Sequence, residues 1–266
     1  MTKLSERIDQ TQVSGGELAI FWLAQAGFAF KTAEGKIVYL DPYLSDVVEA
    51  MFGFKRMIPA PIPAAEVRTD IVLCTHEHLD HMDTEALPAI AENNPTAMFA
   101  GPIECMREFE KMGFAADRCV LLEEGKTARI GGIDVTGVFA DHGDYAPDAL
   151  GLVIDLDGVR VYHSGDTAYR PERMRAAAAM KPDVVLPCIN GAFGNLDSRD
   201  AAQLVRDTGA RLAIASHFWM FVAHGGDPAL FLKECGELAP ETEAIVMKPG
   251  EMRMVRAARA SGAGGE

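Results

Sequence analysis

Asp70-Ile71-Val72-Leu73-Cys74-Thr75-His76-Glu77-His78-Leu79-Asp80-His81 is the stretch on which the reading of this chain turns. Its first half is an unbroken apolar run of the kind that forms a strand buried on both faces. Its second half places three of the chain's 7 histidines and an aspartate in a loop at the end of that strand. Imidazole and carboxylate at this density are metal-ligand chemistry; with no thiolate among them, they suit zinc, manganese or iron.

One loop cannot close two metal sites, so further ligands are expected at other strand ends. His142 follows the apolar segment Ile133–Phe139, Asp166 follows Arg160–His163, and His217 follows Leu212–Ser216. Each is aimed from the end of a strand toward a common cleft.

The surrounding pattern supplies the rest of the fold. Short apolar segments at Leu18–Leu23, Phe28–Lys31, Lys36–Leu40 and Asp70–Thr75 read as strands. Helices follow at Thr84–Glu92, with Asp83 as N-cap, and at Ile103–Met112. Strands return at Cys119–Leu122, Thr127–Ile130, Ile133–Phe139, Leu150–Asp155 and Arg160–His163, the last two joined by the turn pair Asp157-Gly158. Helices at Pro171–Met180, Ser198–Thr208 (capped by Ser198, stopped by Gly209) and Pro228–Leu238 alternate with strands at Asp183–Pro187, Leu212–Ser216 and Ala244–Met247. Two strand-rich blocks, each followed by strand–helix alternation, predict an α/β chain of mixed α+β character. Its architecture is a four-layer αββα sandwich with sheet packed on sheet. No linker or repeat divides the chain, so the expectation is one domain over residues 1–255 and a flexible tail over 256–266.

Composition bounds the function. The chain has 266 residues and a formal charge of −14, which argues against nucleic-acid or anionic-membrane partners and for a small-molecule substrate. The N-terminal stretch MTKLSERIDQTQ lacks the apolar core of a signal peptide, and the 5 cysteines form no Cys-x-x-Cys pair. Both point to a cytoplasmic protein with free thiols.

The order His76-x-His78-x-Asp80-His81, then His142, Gly165-Asp166 and His217 resembles the metallo-β-lactamase superfamily. That resemblance implies the αββα fold and two divalent ions, manganese or zinc in preference to iron. His76, His78 and His142 would hold the first, Asp80, His81 and His217 the second, and Asp166 would bridge both. Further stretches narrow it: Trp22-Leu23-Ala24-Gln25-Ala26-Gly27-Phe28, Asp41-Pro42-Tyr43-Leu44-Ser45-Asp46, Ile189-Asn190-Gly191 through Gly194-Asn195, and His217-Phe218-Trp219-Met220-Phe221 with Gly226-Asp227-Pro228. These are similar to the L-ascorbate-6-phosphate lactonase family, in which Ala24 stands where glycine is common. The family implies a sugar-lactone hydrolase, manganese and a homo-oligomer.

Two ions sharing a water bring its pKa toward neutrality, and the hydroxide would open the lactone. Asp80 is the candidate to accept the proton, and His224, Tyr43 and His163 are candidates to return it. Asn190 could meet substrate oxygens. Asp41 is the expected carboxylate behind the metal histidines, with Thr75, Ser164 and Thr167 beside the ligands. A phosphorylated lactone would need cations: Lys55 and Arg56 in a Gly/Pro/Phe-rich loop are the first candidates, with Arg170, Arg173 and Arg199 as others. Tyr43 is a further substrate contact, and Phe52, Phe54, Phe218, Trp219 and Phe221 could wall the pocket. The alternative function is a metal-dependent phosphodiesterase, nuclease-like or phospholipase-like, using the same site.

Overall fold

A computed structural model describes residues 2–258. Residues 17–32 show why the chain forms layers. Strand β1 (Glu17–Trp22) turns back into β2 (Phe28–Thr32), and its side chains alternate between two cores. Leu18, Ile20 and Trp22 enter the core between the sheets, while Ala19 and Phe21 enter a second core behind the first sheet. A strand with apolar residues on both faces must be covered on both, which is what the four-layer architecture provides.

The first sheet continues through β3 (Ile37–Leu40), β4 (Ile71–Leu73), β5 (Met98–Gly101) and β6 (Cys119–Leu121). The second contains β7 (Thr127–Ile130), β8 (Ile133–Phe139), β9 (Leu150–Leu156), β10 (Val159–His163), β11 (Val184–Leu186), β12 (Leu212–Ile214) and β13 (Glu243–Ile245). A last strand, β14 (Met252–Arg256), crosses back to pair antiparallel with β1. The strand orders are 14-1-2-3-4-5-6 and 13-12-11-10-9-8-7. In both sheets an antiparallel half gives way to a parallel half, β3 to β6 and β10 to β13.

Helices α1 (Leu4–Gln10), α3 (Ala86–Asn93) and α4 (Ile103–Lys111) cover the first sheet through Ile8, Leu87, Ile90, Cys105 and Phe109. Helices α5 (Pro171–Ala179), α6 (Ser198–Thr208) and α7 (Pro228–Leu238) cover the second through Met174, Leu204 and Phe231. The short helix α2 (Val47–Phe52) stands at the rim of the cleft. The expected αββα sandwich is the fold observed. No helix among the described residues is long and apolar enough to cross a membrane, and all five cysteines are free.

Several local expectations are corrected. Asp197 rather than Ser198 caps α6, its carboxylate accepting from the Arg199 and Asp200 amides, while Ser198 Oγ donates to the Asp227 carbonyl. Asp83 lies further from its helix than expected but does more. Its carboxylate receives the amides of Glu85 and Ala86 and also those of Leu44 and Ser45, tying the loop after β3 to the histidine loop. The expected tail over 256–266 begins too early: Arg256 ends β14 opposite Glu17, and the Ala257 amide still donates to Gly16. Residues 259–266 of that tail lie outside the described residues.

Candidate metal centre

Strands β4, β8, β10 and β12 send the loops that leave them to one side of the sandwich, and those loops carry the expected ligands. The loop after β4 holds His76, His78, Asp80 and His81, and those after β8, β10 and β12 bring His142, Asp166 and His217. The two sheets are stitched at this edge by the Leu150 amide donating to the Thr75 carbonyl. Gly165 makes the approach possible. It adopts φ +61°, and a Cβ there would stand 2.6 Å from the Leu150 carbonyl oxygen, so only glycine delivers Asp166 to this position.

All seven expected ligands meet. His76, His78 and His142 present nitrogens within 4.8 Å of one another, as do the donor atoms of His76, His81 and Asp166. Asp166 Oδ1 lies 3.1 Å from His217 Nε2 and 3.3 Å from His81 Nε2, and its Oδ2 lies 3.8 Å from His142 Nε2. Asp166 therefore touches both halves of the cluster. Asp80 Oδ2 is 3.7 Å from His217 Nε2.

Asp41 stands behind this cluster at φ +44°, fully buried. Its carboxylate accepts from the Thr75 amide (2.8 Å) and hydroxyl (2.7 Å) and from His81 Nδ1 (2.8 Å). The Thr75 oxygen in turn lies 3.0 Å from His76 Nδ1. One buried carboxylate thus orients two imidazoles and leaves the Nε2 atom of each facing the cluster.

The donor set fits divalent cations. His76 Nε2 and Asp166 Oδ1 are buried without a hydrogen-bond partner. His81 Nε2 and His217 Nε2 approach to 3.0 Å, and His78 Nδ1 and His142 Nε2 to 3.3 Å, close contacts that lone pairs tolerate best around a shared cation. Electrostatics agree. Burial drives the His76 imidazolium well below its usual range and His142 down to about 4. For Asp166, burial opposes ionisation, but His217 and His81 outweigh it and hold the carboxylate well below its ordinary pKa. For His81, burial opposes protonation, and the Asp166 and Asp41 carboxylates reverse that to raise it well above 6.5.

Two participants escaped the sequence reading of chemistry. Gln25, fully buried, donates its amide to Asp80 Oδ2 at 2.6 Å and lies 3.1 Å from His217 Nε2. It is delivered by a turn in which Ala24 (φ +71°) and Gln25 (φ +51°) are left-handed, a geometry that accounts for the glycine common at the position of Ala24. Asn195 donates to Asp166 Oδ2 at 2.6 Å. Asn190, the expected amide of that loop, is buried with neither side-chain polar atom hydrogen-bonded. His224, expected as a proton donor, groups with Asp80 and His217 within the same 4.8 Å spacing. Its ring lies 4.8 Å from that of His217, and burial lowers its pKa to about 4.

The expected substrate cations are placed differently. Arg56 Nε donates to the Ile58 carbonyl (2.8 Å), its Nη1 to the Ser45 carbonyl (2.7 Å), and its guanidinium lies 4.6 Å from the Tyr43 ring centroid. Its guanidinium faces the backbone carbonyls of Ile58, Ser45 and Tyr43. Lys55 is exposed outside the cleft wall. Arg170 pairs with Asp141, Arg173 with Glu124 and Arg199 with Glu234. Tyr43 is buried beneath the wall, and His163 hydrogen-bonds the Ala26 carbonyl from within the core. Ser164 Oγ accepts the Cys188 amide and Thr167 Oγ the Asp141 amide, holding the loops rather than the ligands.

The cluster forms the floor of a cleft of about 450 Å³, reached between α2, the residues that follow it, and the loops carrying Tyr145, Phe193 and Phe221. His78, Asp80, His142, Asp166 and His224 face it from the floor.

Comparison with known proteins agrees with this geometry. Residues 36–218 match the family described as the β-lactamase superfamily domain. A UPF0173 metal-dependent hydrolase of Archaeoglobus fulgidus is 30% identical over 246 residues, covering 88% of this chain and 97% of the relative. One from Herpetosiphon aurantiacus is 28% identical over 242 residues, covering 87% and 95%. Among solved structures, Igni18, a metallo hydrolase from Ignicoccus hospitalis, superposes with a TM-score of 0.71 at 23% identity, covering 90% of this chain and 99% of that one. The chain belongs to the β-lactamase superfamily and, within it, to the UPF0173 metal-dependent hydrolases.

Proposed function

We propose that this member of the β-lactamase superfamily hydrolyses a small ester, with a lactone as the first candidate, at a centre of two divalent cations. The observation that carries the reading is the convergence of four strand-end loops on one buried donor set at the floor of a cleft. His76, His78 and His142 would hold one cation, Asp80, His81 and His217 the other, and Asp166 would serve both. Cations held there supply two things that ester hydrolysis needs: polarisation of the carbonyl oxygen and a water acidified toward neutral pH.

The chain's own residues supply the rest. Asp80 is a carboxylate at neutral pH: burial opposes ionisation, but His81 and His217 outweigh it and lower its pKa. With Gln25 fixing one of its oxygens, it is positioned to take the proton of the attacking water. His224 faces the cleft as a neutral imidazole, able to hold a hydrogen bond to the departing oxygen. Asp41 and Asn195 keep the imidazoles and Asp166 in place, so little reorganisation is needed at the moment of reaction.

Resemblance to the ascorbate-phosphate lactonases supports a lactone; the cleft wall supports an unphosphorylated one. No lysine or arginine lines the cleft among the described residues, so a phosphate remote from the cations would have no counter-charge. The same feature disfavours the phosphodiesterase alternative. The test is a pH-stat assay on metal-stripped protein reloaded with manganese or with zinc, comparing neutral lactones, a phosphorylated sugar lactone and a simple phosphodiester. Lactone opening that vanishes on chelation is the expected result. Phosphodiester cleavage with inert lactones would overturn the ester reading.

A further inference from the structure

The floor of the cleft is polar, but apart from Glu77 and Tyr145 its wall is not. Val48, Phe52, Phe54, Leu79, Phe193 and Phe221 line it. Phe52 and Phe54 remain 63% and 43% exposed, a cost in water that a folded chain does not normally concentrate in one place. The aromatic surface is continuous with the reaction site. The Phe54 and Phe221 ring centroids are 6.2 Å apart, Phe221 and His224 4.7 Å, and His224 and His217 4.8 Å. A hydrophobic group lying along Phe54 and Phe221 would therefore have its attached carbonyl at the donor cluster.

The wall is also held in place. The Met57 amide donates to the Met220 carbonyl at 2.7 Å, joining the segment after α2 to the loop that carries Phe221. Arg56 braces the same segment from below through Ile58, Ser45 and Tyr43. Binding an apolar group there requires little ordering of the wall. The volume, about 450 Å³, is in the range of pockets that enclose a small organic molecule, about 300–1,000 Å³.

We propose that the substrate carries an uncharged hydrophobic tail, alkyl or aryl, next to its scissile carbonyl, and that Phe52, Phe54 and Phe221 select for it. This rests on the ester-hydrolase reading above for the identity of the reacting group, but the tail subsite can be tested without turnover.

The first measurement is calorimetric binding of uncleavable methyl ketones, from butanone to decanone, to the protein as purified. Affinity should rise about threefold to fourfold per methylene, the ~0.8 kcal/mol of one buried CH₂, until the subsite is full. Phe52→Ser with Phe54→Ser should flatten that series and weaken decanone binding about tenfold. Phe221→Leu, which keeps apolar bulk beneath the wall, should shift the preferred length without abolishing the slope. The second measurement is kcat/KM for δ-lactones bearing no chain, a propyl chain or a hexyl chain, read as the hexyl-to-bare ratio in each protein. A flat ketone series, or a phosphorylated sugar lactone preferred over the hexyl lactone, overturns the proposal. Ketones that bind with the expected slope while every ester stays intact support the subsite and overturn the ester reading. Lactones opened at one rate regardless of chain keep the ester reading and overturn the subsite.

Discussion

The floor and the wall of the cleft are built by opposite means. The floor is delivered by strand ends, and its side chains are buried, charged and cross-linked: Asp41 to His81, Asp166 to His217, Gln25 to Asp80. The wall is delivered by α2 and by loops, and its side chains are apolar, partly exposed and linked chiefly through backbone and packing. The floor fixes a chemistry and leaves little room for variation, because each group there is the electrostatic partner of another. The wall, on the proposal above, would select a substrate and could change without disturbing the chemistry.

The largest expected effect comes from breaking the floor where its halves meet. Asp166→Ala removes the carboxylate that touches His81, His142 and His217. Bound metal should be lost on gel filtration, and turnover should fall roughly 10³-fold or more, because cations held there would bring a water's pKa from 15.7 toward about 7. Metal content by plasma emission and the rate on one lactone decide it. A variant that keeps its metal and its turnover would show that the floor is not the interlocked unit described.

Asp41→Asn probes the same unit from behind. The carboxylate orients His81 directly and His76 through Thr75. An amide there keeps the volume but cannot accept from all three donors. Metal affinity should weaken about 10–100-fold, the usual cost of removing such support, with chain-length preference for the substrate unchanged. Competition with a chromogenic chelator measures the first, and the hexyl-to-bare ratio the second. A changed ratio would mean that floor and wall are coupled.

The contrast also explains what was legible in the sequence. Apolar strands ending in His, Asp or Gly-Asp carry their chemistry in residue type, so the seven donors and the sandwich are readable from residue order alone. Strands β5 and β14 are not, because Met98–Gly101 is four residues wedged between helical segments, and Met252–Arg256 alternates polar and apolar only over one short edge pairing. Gln25 was invisible as chemistry. A glutamine is an ordinary turn residue until a left-handed backbone in the antiparallel β1–β2 turn aims it at Asp80. Asn190 and Asn195 share one loop, and only its folded path decides that Asn195 meets Asp166. The placement of Arg56 is not legible from its residue type. A cation beside a cleft reads as a phosphate clamp, whereas folding turns its guanidinium inward onto carbonyls that the loop would otherwise leave unpaired.

Proton release tests the electrostatics of the floor. Without metal, His81 is an imidazolium at neutral pH: burial opposes the charge, but Asp166 and Asp41 raise its pKa well above 6.5. Its contribution to stability is present below the unfolded value of about 6.5 and is lost as pH rises through the raised folded value. Burial lowers His142 and His224 to about 4, so both are already neutral at pH 7. They withdraw stability as pH falls from about 6.5 toward 4, because only the unfolded chain takes up their protons. Metal loading at pH 7 should therefore release the His81 proton in addition to any proton given up by a water the metal acidifies. Calorimetry in buffers of different ionisation enthalpy reads the number. No release would show that His81 is neutral before the cation arrives, and that the carboxylates on either side of it do not govern its charge.

The smallest effects are expected at Lys55 and Arg56, the two basic side chains next to the wall segment, and they separate bracing from recognition. Arg56→Ala removes hydrogen bonds to Ile58 and Ser45 and the stacking on Tyr43. Hydrogen bonds from a charged donor contribute about 1.5–3 kcal/mol, so unfolding in urea should report a loss of that order. KM should rise by the same factor for neutral and phosphorylated lactones, since what moves is the segment carrying Phe54. Lys55→Ala should change stability by no more than about 0.5 kcal/mol and neither KM, because its side chain is exposed outside the cleft lining. A rise in KM confined to the phosphorylated lactone in either variant would place a phosphate at the wall. The division between a charged floor and an apolar wall would then fail at the point where substrate selection depends on it.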